Sequence, residues 1–159
     1  MTTPEELREF IVRARRDCYA GGIEEIIDFG FRKAEYQEGK LRYRDIWIGR
    51  ERFHGWEVVF EDDRPVWSMV YSGGRSWHRP FPGPRLEEIY AFLREALLEK
   101  SSVARLGSRV GYRETGYQNG PWTYMDNGRD LEYTFDGVES ISWNGEEVYF
   151  LHYCGGPIV

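Results

Sequence analysis

Phe53-His54-Gly55-Trp56-Glu57 decides how the chain is read, because it returns 82 residues later as Phe135-Asp136-Gly137-Val138-Glu139. At the same offset Val66 meets Val148, Trp67 meets Tyr149, Met69 meets Leu151 and Tyr71 meets Tyr153. Gly73-Gly74 meets Gly155-Gly156, and seven of these 22 aligned positions are identical, where roughly one or two follow from average residue usage. The offset also relates Glu5-Glu6-Leu7 to Glu87-Glu88-Ile89, and Phe10-Ile11-Val12-Arg13-Ala14 to Phe92-Leu93-Arg94-Glu95-Ala96. Self-similarity at a fixed period implies a repeated supersecondary unit. The expectation is one α+β domain over residues 1–159. It is an internal duplication of a helix plus four-stranded antiparallel meander, with repeats of about 3–80 and 85–159 and the helices packed on one side of the sheet.

Local signals fill in that unit. Thr3 suits a helix N-cap, Pro4 the first helical position, and Glu6 completes a capping box. Leu7, Phe10, Ile11 and Ala14 then recur at helical spacing, which predicts a helix over about 4–17. Period-two alternation predicts strands near 28–37, 40–48, 55–61 and 65–72, with turns at Glu38-Gly39 and Asp62-Asp63. Pro80-Phe81-Pro82-Gly83-Pro84 breaks the chain. A second helix is predicted over about 85–99, then a loop over 100–120, then strands near 121–126, 130–135, 138–143 and 146–153. Asp136-Gly137 and Asn144-Gly145 read as hairpin turns, and the glycine pairs at 73–74 and 155–156 as strand ends.

Simple two-residue hairpins place Trp56, Val58, Phe60, Trp67, Met69 and Tyr71 on a core face, with Glu57, Val59, Val66, Ser68 and Val70 opposite. In the second half, Val138, Ser140, Ser142, Tyr149, Leu151 and Tyr153 are set against Glu139, Ile141, Trp143, Val148, Phe150 and His152. The outer face is thus apolar with a few embedded polar groups, as a ligand or partner surface requires. Packing of the two halves on each other would also account for it.

The bulk numbers narrow the function classes. Net charge is −6, without the basic stripe of a non-specific nucleic-acid binder. Arg13, Arg15 and Arg16 form a local basic patch or a solvated helix face. No apolar run approaches a membrane span and the N-terminus lacks signal-peptide features, which implies a cytoplasmic protein. Cys18 and Cys154 read as buried free thiols. His54, His78 and His152 share no metal-ligand spacing, and no phosphate-loop, dinucleotide or nucleophile-elbow motif is present, so no metal or cofactor is expected.

Glu57 and Glu139 are the acidic pair that the duplication preserves. Brought together they could act as acid and base; apart, each would pair with an arginine. Ser68 and His152 share their inferred face, and Tyr43 and Asp45 lie together on one face of the strand near 40–48. These six residues, Glu57, Ser68, Glu139, His152, Tyr43 and Asp45, are the candidate ligand-binding set.

Several runs carry a resemblance. They are Phe10-Ile11-Val12-Arg13-Ala14-Arg15-Arg16, Tyr43-x-Asp45, Phe53-x-Gly55-x-Glu57, Pro65-Val66-Trp67-Ser68-Met69 with Tyr71, and Gly155-Gly156-Pro157-Ile158. From about residue 8 to 158 the chain resembles an uncharacterised bacterial domain-of-unknown-function family. Its members occur alone or behind XRE-type helix-turn-helix regulators. Residues 100–120 match poorly, and Val70 stands where the family has Asn. The resemblance implies a sensor or interaction module and supplies no active residues.

The functional expectation is therefore a non-enzymatic small-ligand-binding or sensing domain. The alternatives are a protein-interaction module and a small hydrolase or isomerase using paired glutamates. The expected partner is a small molecule or a protein, with no nucleic acid bound by this chain alone, no membrane, and a monomer or homodimer.

Overall fold

A computed structural model describes residues 2–21, 25–76, 83–106, 111–131 and 133–158. Helix α1 runs Pro4–Gly21 and α2 runs Leu86–Glu99. The strands are β1 (Glu25–Ile26), β2 (Arg32–Glu38), β3 (Leu41–Gly49), β4 (Arg52–Glu61), β5 (Arg64–Arg75), β6 (Gly111–Asn119), β7 (Trp122–Asp130), β8 (Phe135–Trp143) and β9 (Glu146–Pro157).

The capping box at the start of α1 forms as the sequence predicts. Glu6 Oε2 accepts the Thr3 N–H at 2.7 Å, and Thr3 Oγ1 accepts the Glu6 N–H at 3.3 Å. Two donors that a helix start leaves unsatisfied are thereby paired. Glu88 does the same for the Arg85 N–H at 2.7 Å before α2.

The duplicated helix-plus-meander architecture is not what forms. The strands make one continuous antiparallel sheet of nine, in the order β1-β2-β3-β4-β5-β9-β8-β7-β6. Its middle is the pairing of β5 with β9, from Trp67 opposite Pro157 to Arg75 opposite Tyr149. A separate meander would leave the outer strand edge with unpaired N–H and C=O groups, and pairing β5 to β9 removes two such edges at once. The helices likewise share one core rather than serving separate units. Phe10, Ile11 and Ala14 of α1 and Ile89, Phe92, Leu93 and Ala96 of α2 bury with Tyr43, Met69, Tyr124, Tyr149 and Leu151 of the sheet. The glycine pairs do not end strands either. A Cβ on Gly73 would lie 2.3 Å from the Phe150 carbonyl oxygen, and one on Gly155 would lie 2.3 Å from that of Ser68. The β5–β9 seam needs both positions bare.

Residues 100–120 hold strand β6, not only a loop. Its residues are polar and edge-bound, so the period-two signal is weak, yet Tyr117 turns inward to stack on Phe92 at 5.9 Å. Asp136-Gly137 lies inside β8, and the β7–β8 turn is closed by the Leu131 N–H to the Thr134 carbonyl at 2.7 Å. The turns at Asp62-Asp63 (φ 47° and 63°) and Asn144-Gly145 (φ 51° and 81°) do form, with the doubly positive φ that tight hairpins use. The Pro80–Pro84 break and His78 lie wholly or partly outside the described residues.

The face assignment fails in β4 and β8 for one reason. A bulge follows each tight turn, so Val59 opposes Trp67 rather than Val66, and Ile141 opposes Tyr149 rather than Val148. An extra residue on one strand exchanges the faces of everything beyond it. Glu57, Val59, Glu139 and Ile141 therefore point to the helices, and Trp56 and Val138 point away, 46% and 40% exposed.

Candidate functional site

Beneath α1 lies a buried polar centre. Arg15 projects from α1 and donates through Nε and Nη2 to Glu57 Oε2 at 2.9 and 2.6 Å. Its Nη1 donates to the carbonyls of Ala104 and Arg105 at 3.3 and 3.0 Å. Burial opposes the charge of Arg15, but Glu57 outweighs it and holds the guanidinium protonated. Opposite Glu57 on β3 stands Asp45, which accepts the Tyr71 hydroxyl at 2.7 Å. Burial, reinforced by the charge of Glu57, pushes the Asp45 carboxyl up to about 7. The backbone explains the reach of Tyr71: a Cβ on Gly55 would lie 2.1 Å from the tyrosine ring. Gly55 is the gap through which Tyr71 crosses β4 to Asp45 on β3. Glu57 Oε1 and the Tyr19 and Tyr43 hydroxyls are buried without a hydrogen-bond partner.

A second centre of like composition lies under α2. Arg105, in a left-handed backbone conformation (φ 53°), binds Glu139 through Nε and Nη2 at 2.8 and 2.5 Å. The Tyr124 and Tyr149 hydroxyls donate to the same carboxylate at 2.7 and 3.1 Å. Asp126, opposite Glu139, accepts the Arg105 N–H at 2.9 Å and the Tyr153 hydroxyl at 2.5 Å. Arg113 crosses from β6 to stand 3.6 Å from Asp126 and 3.4 Å from Asp130. Glu139 thus has every oxygen partnered, whereas Glu57 does not.

The opposite face of the sheet is concave where β5, β9, β8, β7 and β6 curl, enclosing about 780 Å³. Val70, Val138, His152 and Cys154 line it, with the Arg129–Asp136 ion pair (2.7 Å) and the exposed Tyr112 at its border. Cys154 is an exposed free thiol, which corrects the expectation of burial; Cys18 is half-buried. Burial pushes the Cys18 thiol up to about 12.

The sheet separates the six sequence candidates. Tyr43, Asp45, Glu57 and Glu139 face the helices; Ser68 and His152 face outward, and His152 alone lines the concavity. Glu57 and Glu139 sit on β4 and β8 with β5 and β9 between them and four residues out of register, a spacing of roughly 20 Å. Each is neutralised by its own arginine. They do not meet as an acid–base pair. Sequence reasoning missed Arg15, Arg105, Arg113 and Tyr19. Arg15 was legible, since it follows Ile11 by four on the buried side of α1; Arg105 and Arg113 fell in the stretch read as loop.

Residues 45–158 match the DUF5680 domain of unknown function. The chain belongs to the DUF5680 family. The match opens at Asp45 and takes in Glu57, Asp126, Glu139 and both glycine gaps. Arg15, Tyr19 and Tyr43 lie before it, so the DUF5680 match spans α2 and the sheet from the middle of β3 onward, but not β1, β2 or the helix that covers the first centre. No curated protein and no solved structure matches the chain. Among the described residues, no group of three or more histidine, cysteine or carboxylate side chains could hold a metal, and no helix is long and apolar enough to cross a membrane.

Proposed function

We propose that this chain is a non-enzymatic small-ligand-binding or sensing domain whose ligand lies in the outer concavity. The observation that carries this reading is the concavity itself. Its volume of about 780 Å³ falls within the roughly 300–1,000 Å³ typical of ligand sites. Its apolar floor of Val70 and Val138 can bury a ligand body, and His152, Asn127 and Ser72 can fix orientation. The resemblance to a bacterial family whose members also follow helix-turn-helix regulators favours sensing over catalysis. Two unpaired cysteines suit a reducing, cytoplasmic setting.

The test is native mass spectrometry of the protein from its own host, followed by NMR screening of compounds against wild type and Val138→Arg. The long arginine side chain fills the concavity from an exposed position. A retained mass or a hit lost in the variant supports the reading. Hits that bind the variant equally well would refute it. A second reading, a protein-interaction module, is favoured by the exposure of Trp56, Val70, Val138 and Tyr112 on this same side. A co-purifying protein released by Val138→Arg would select it.

A further inference from the structure

The two buried centres differ in the Arg113–Asp130 ion pair that the second one adds. In the second, Arg113 reaches Asp126 by passing over Gly128, where a Cβ would lie 2.1 Å from its Nη2 atom. Arg113 opposes Gly128 in the β6–β7 pairing. At the other end of the sheet the residue with the same placement is Arg32, and it opposes Trp47. An indole occupies the path that a glycine leaves open. Accordingly, no ion pair joins Asp45 to a described lysine or arginine, and its hydrogen bond is the Tyr71 hydroxyl. Arg15 is already committed to Glu57.

The same place holds unpartnered acceptors. Glu57 is 1% exposed and Tyr43 0%, yet Glu57 Oε1 and the Tyr43 hydroxyl meet no donor or acceptor, nor does the Tyr19 hydroxyl. Buried polar atoms are rarely left this way without a group to satisfy them. Asp45 and Glu57 both act on the Tyr19, Tyr43 and Tyr71 hydroxyls, raising each phenol after burial has done so first. The five groups therefore share one electrostatic neighbourhood. Trp47 follows Asp45 by two on the same face and packs on the core beside it.

We propose that the buried polar centre between α1 and β3–β4 binds a small protonated amine, whose N–H groups are taken by Asp45, Glu57 Oε1 and the Tyr43 hydroxyl. Tyr19, Tyr71 and Trp47 supply ring surface for the cation. An ammonium head offers three donors to these acceptors, and its charge suits a centre where two carboxylates face one arginine. A divalent metal does not fit, because no metal-binding group of three such side chains exists among the described residues. Asp45 is partly accessible, as are Cys18, Tyr19 and Trp47, which gives the ligand a way in. Apart from Tyr71, which borders both, this site lies on the opposite face of the sheet from the outer concavity, and it stands or falls separately.

The test uses the full chain, labelled with ¹⁵N, titrated with n-butylammonium chloride beside n-butanol and sodium chloride. Saturable amide shifts at Tyr43, Asp45 and Glu57 with the amine alone are expected. Asp45→Asn should weaken binding at least about tenfold. Tyr43→Phe keeps the fold, since its hydroxyl has no partner to lose, and should also weaken it. Val138→Arg on the other face should bind as wild type does. The proposal is overturned by shifts no larger than those from sodium chloride, by equal shifts from butanol, or by unaltered affinity in both Asp45→Asn and Tyr43→Phe.

Discussion

Replacing Arg15 with methionine keeps the length of the side chain and removes the charge that holds Glu57. Glu57 is 1% exposed and its hydrogen bonds, at 2.9 and 2.6 Å, both come from Arg15. The variant also strips one donor from the carbonyls of Ala104 and Arg105. Removing one partner of a buried pair typically costs about 3–5 kcal/mol, because the other charge is left uncompensated. For a chain of this size that is about 6–20 °C in Tm. Removing both charges has a different outcome: Arg15→Met with Glu57→Leu should recover most of the loss, as apolar replacement of a whole buried pair often does. Urea denaturation of the wild type, both single variants and the double variant closes the cycle and gives the coupling directly. A single variant within about 1 kcal/mol of wild type at neutral pH would refute the reasoning, and so would a double variant less stable than either single one.

Four further outcomes follow from the geometry. The Asp45 carboxyl, ordinarily near 3.8, is pushed up to about 7; the unfolded chain therefore ionises first as pH rises, and stability falls between about pH 4 and 7. Asp45→Asn should flatten that fall, visible as a Tm that no longer declines over the window. Gly55→Ala forces a Cβ to within 2.1 Å of the Tyr71 ring and should cost about 1–3 kcal/mol in chemical denaturation, with Gly137→Ala doing likewise against Tyr153. Thr3→Ala should cost about 1 kcal/mol through the lost cap of α1, measured by thermal melting. Ellman's reagent should modify Cys154 rapidly and Cys18 slowly in the folded protein, because one thiol is exposed and the other is half-buried with its thiolate disfavoured.

Both helices and the tight turns were legible because their signals are local: Thr3 with Glu6, the apolar spacing of α2, and Asn144-Gly145. The two bulges were not, since nothing around Val66 or Val148 marks either as an extra residue. That single slip carried Glu57 and Glu139 from an outer face to the core. The β5–β9 pairing was illegible for a related reason, as it joins residues roughly 80 apart that carry no turn between them. Strand β6 hid behind polar composition. Of the candidate site, the residue identities came from sequence, but the two sides of the sheet and the arginines that neutralise the glutamates came only from the fold. Tyr71 with Gly55 shows what pattern can offer: a glycine two before a glutamate made sense only once the ring above it was seen.

The central seam has a consequence for how the protein is made. β5 is finished at Arg75, but the strand that completes it ends at Pro157, and everything between must be synthesised first. At about 5–20 residues per second on the ribosome, that delay is roughly 4–16 seconds. Throughout it the twelve-residue β5, carrying Val66, Trp67, Met69, Val70 and Tyr71, is an open edge able to pair with the same strand of a neighbouring nascent chain. Chaperone supply during translation, rather than the stability of the finished fold, should set the yield of this protein.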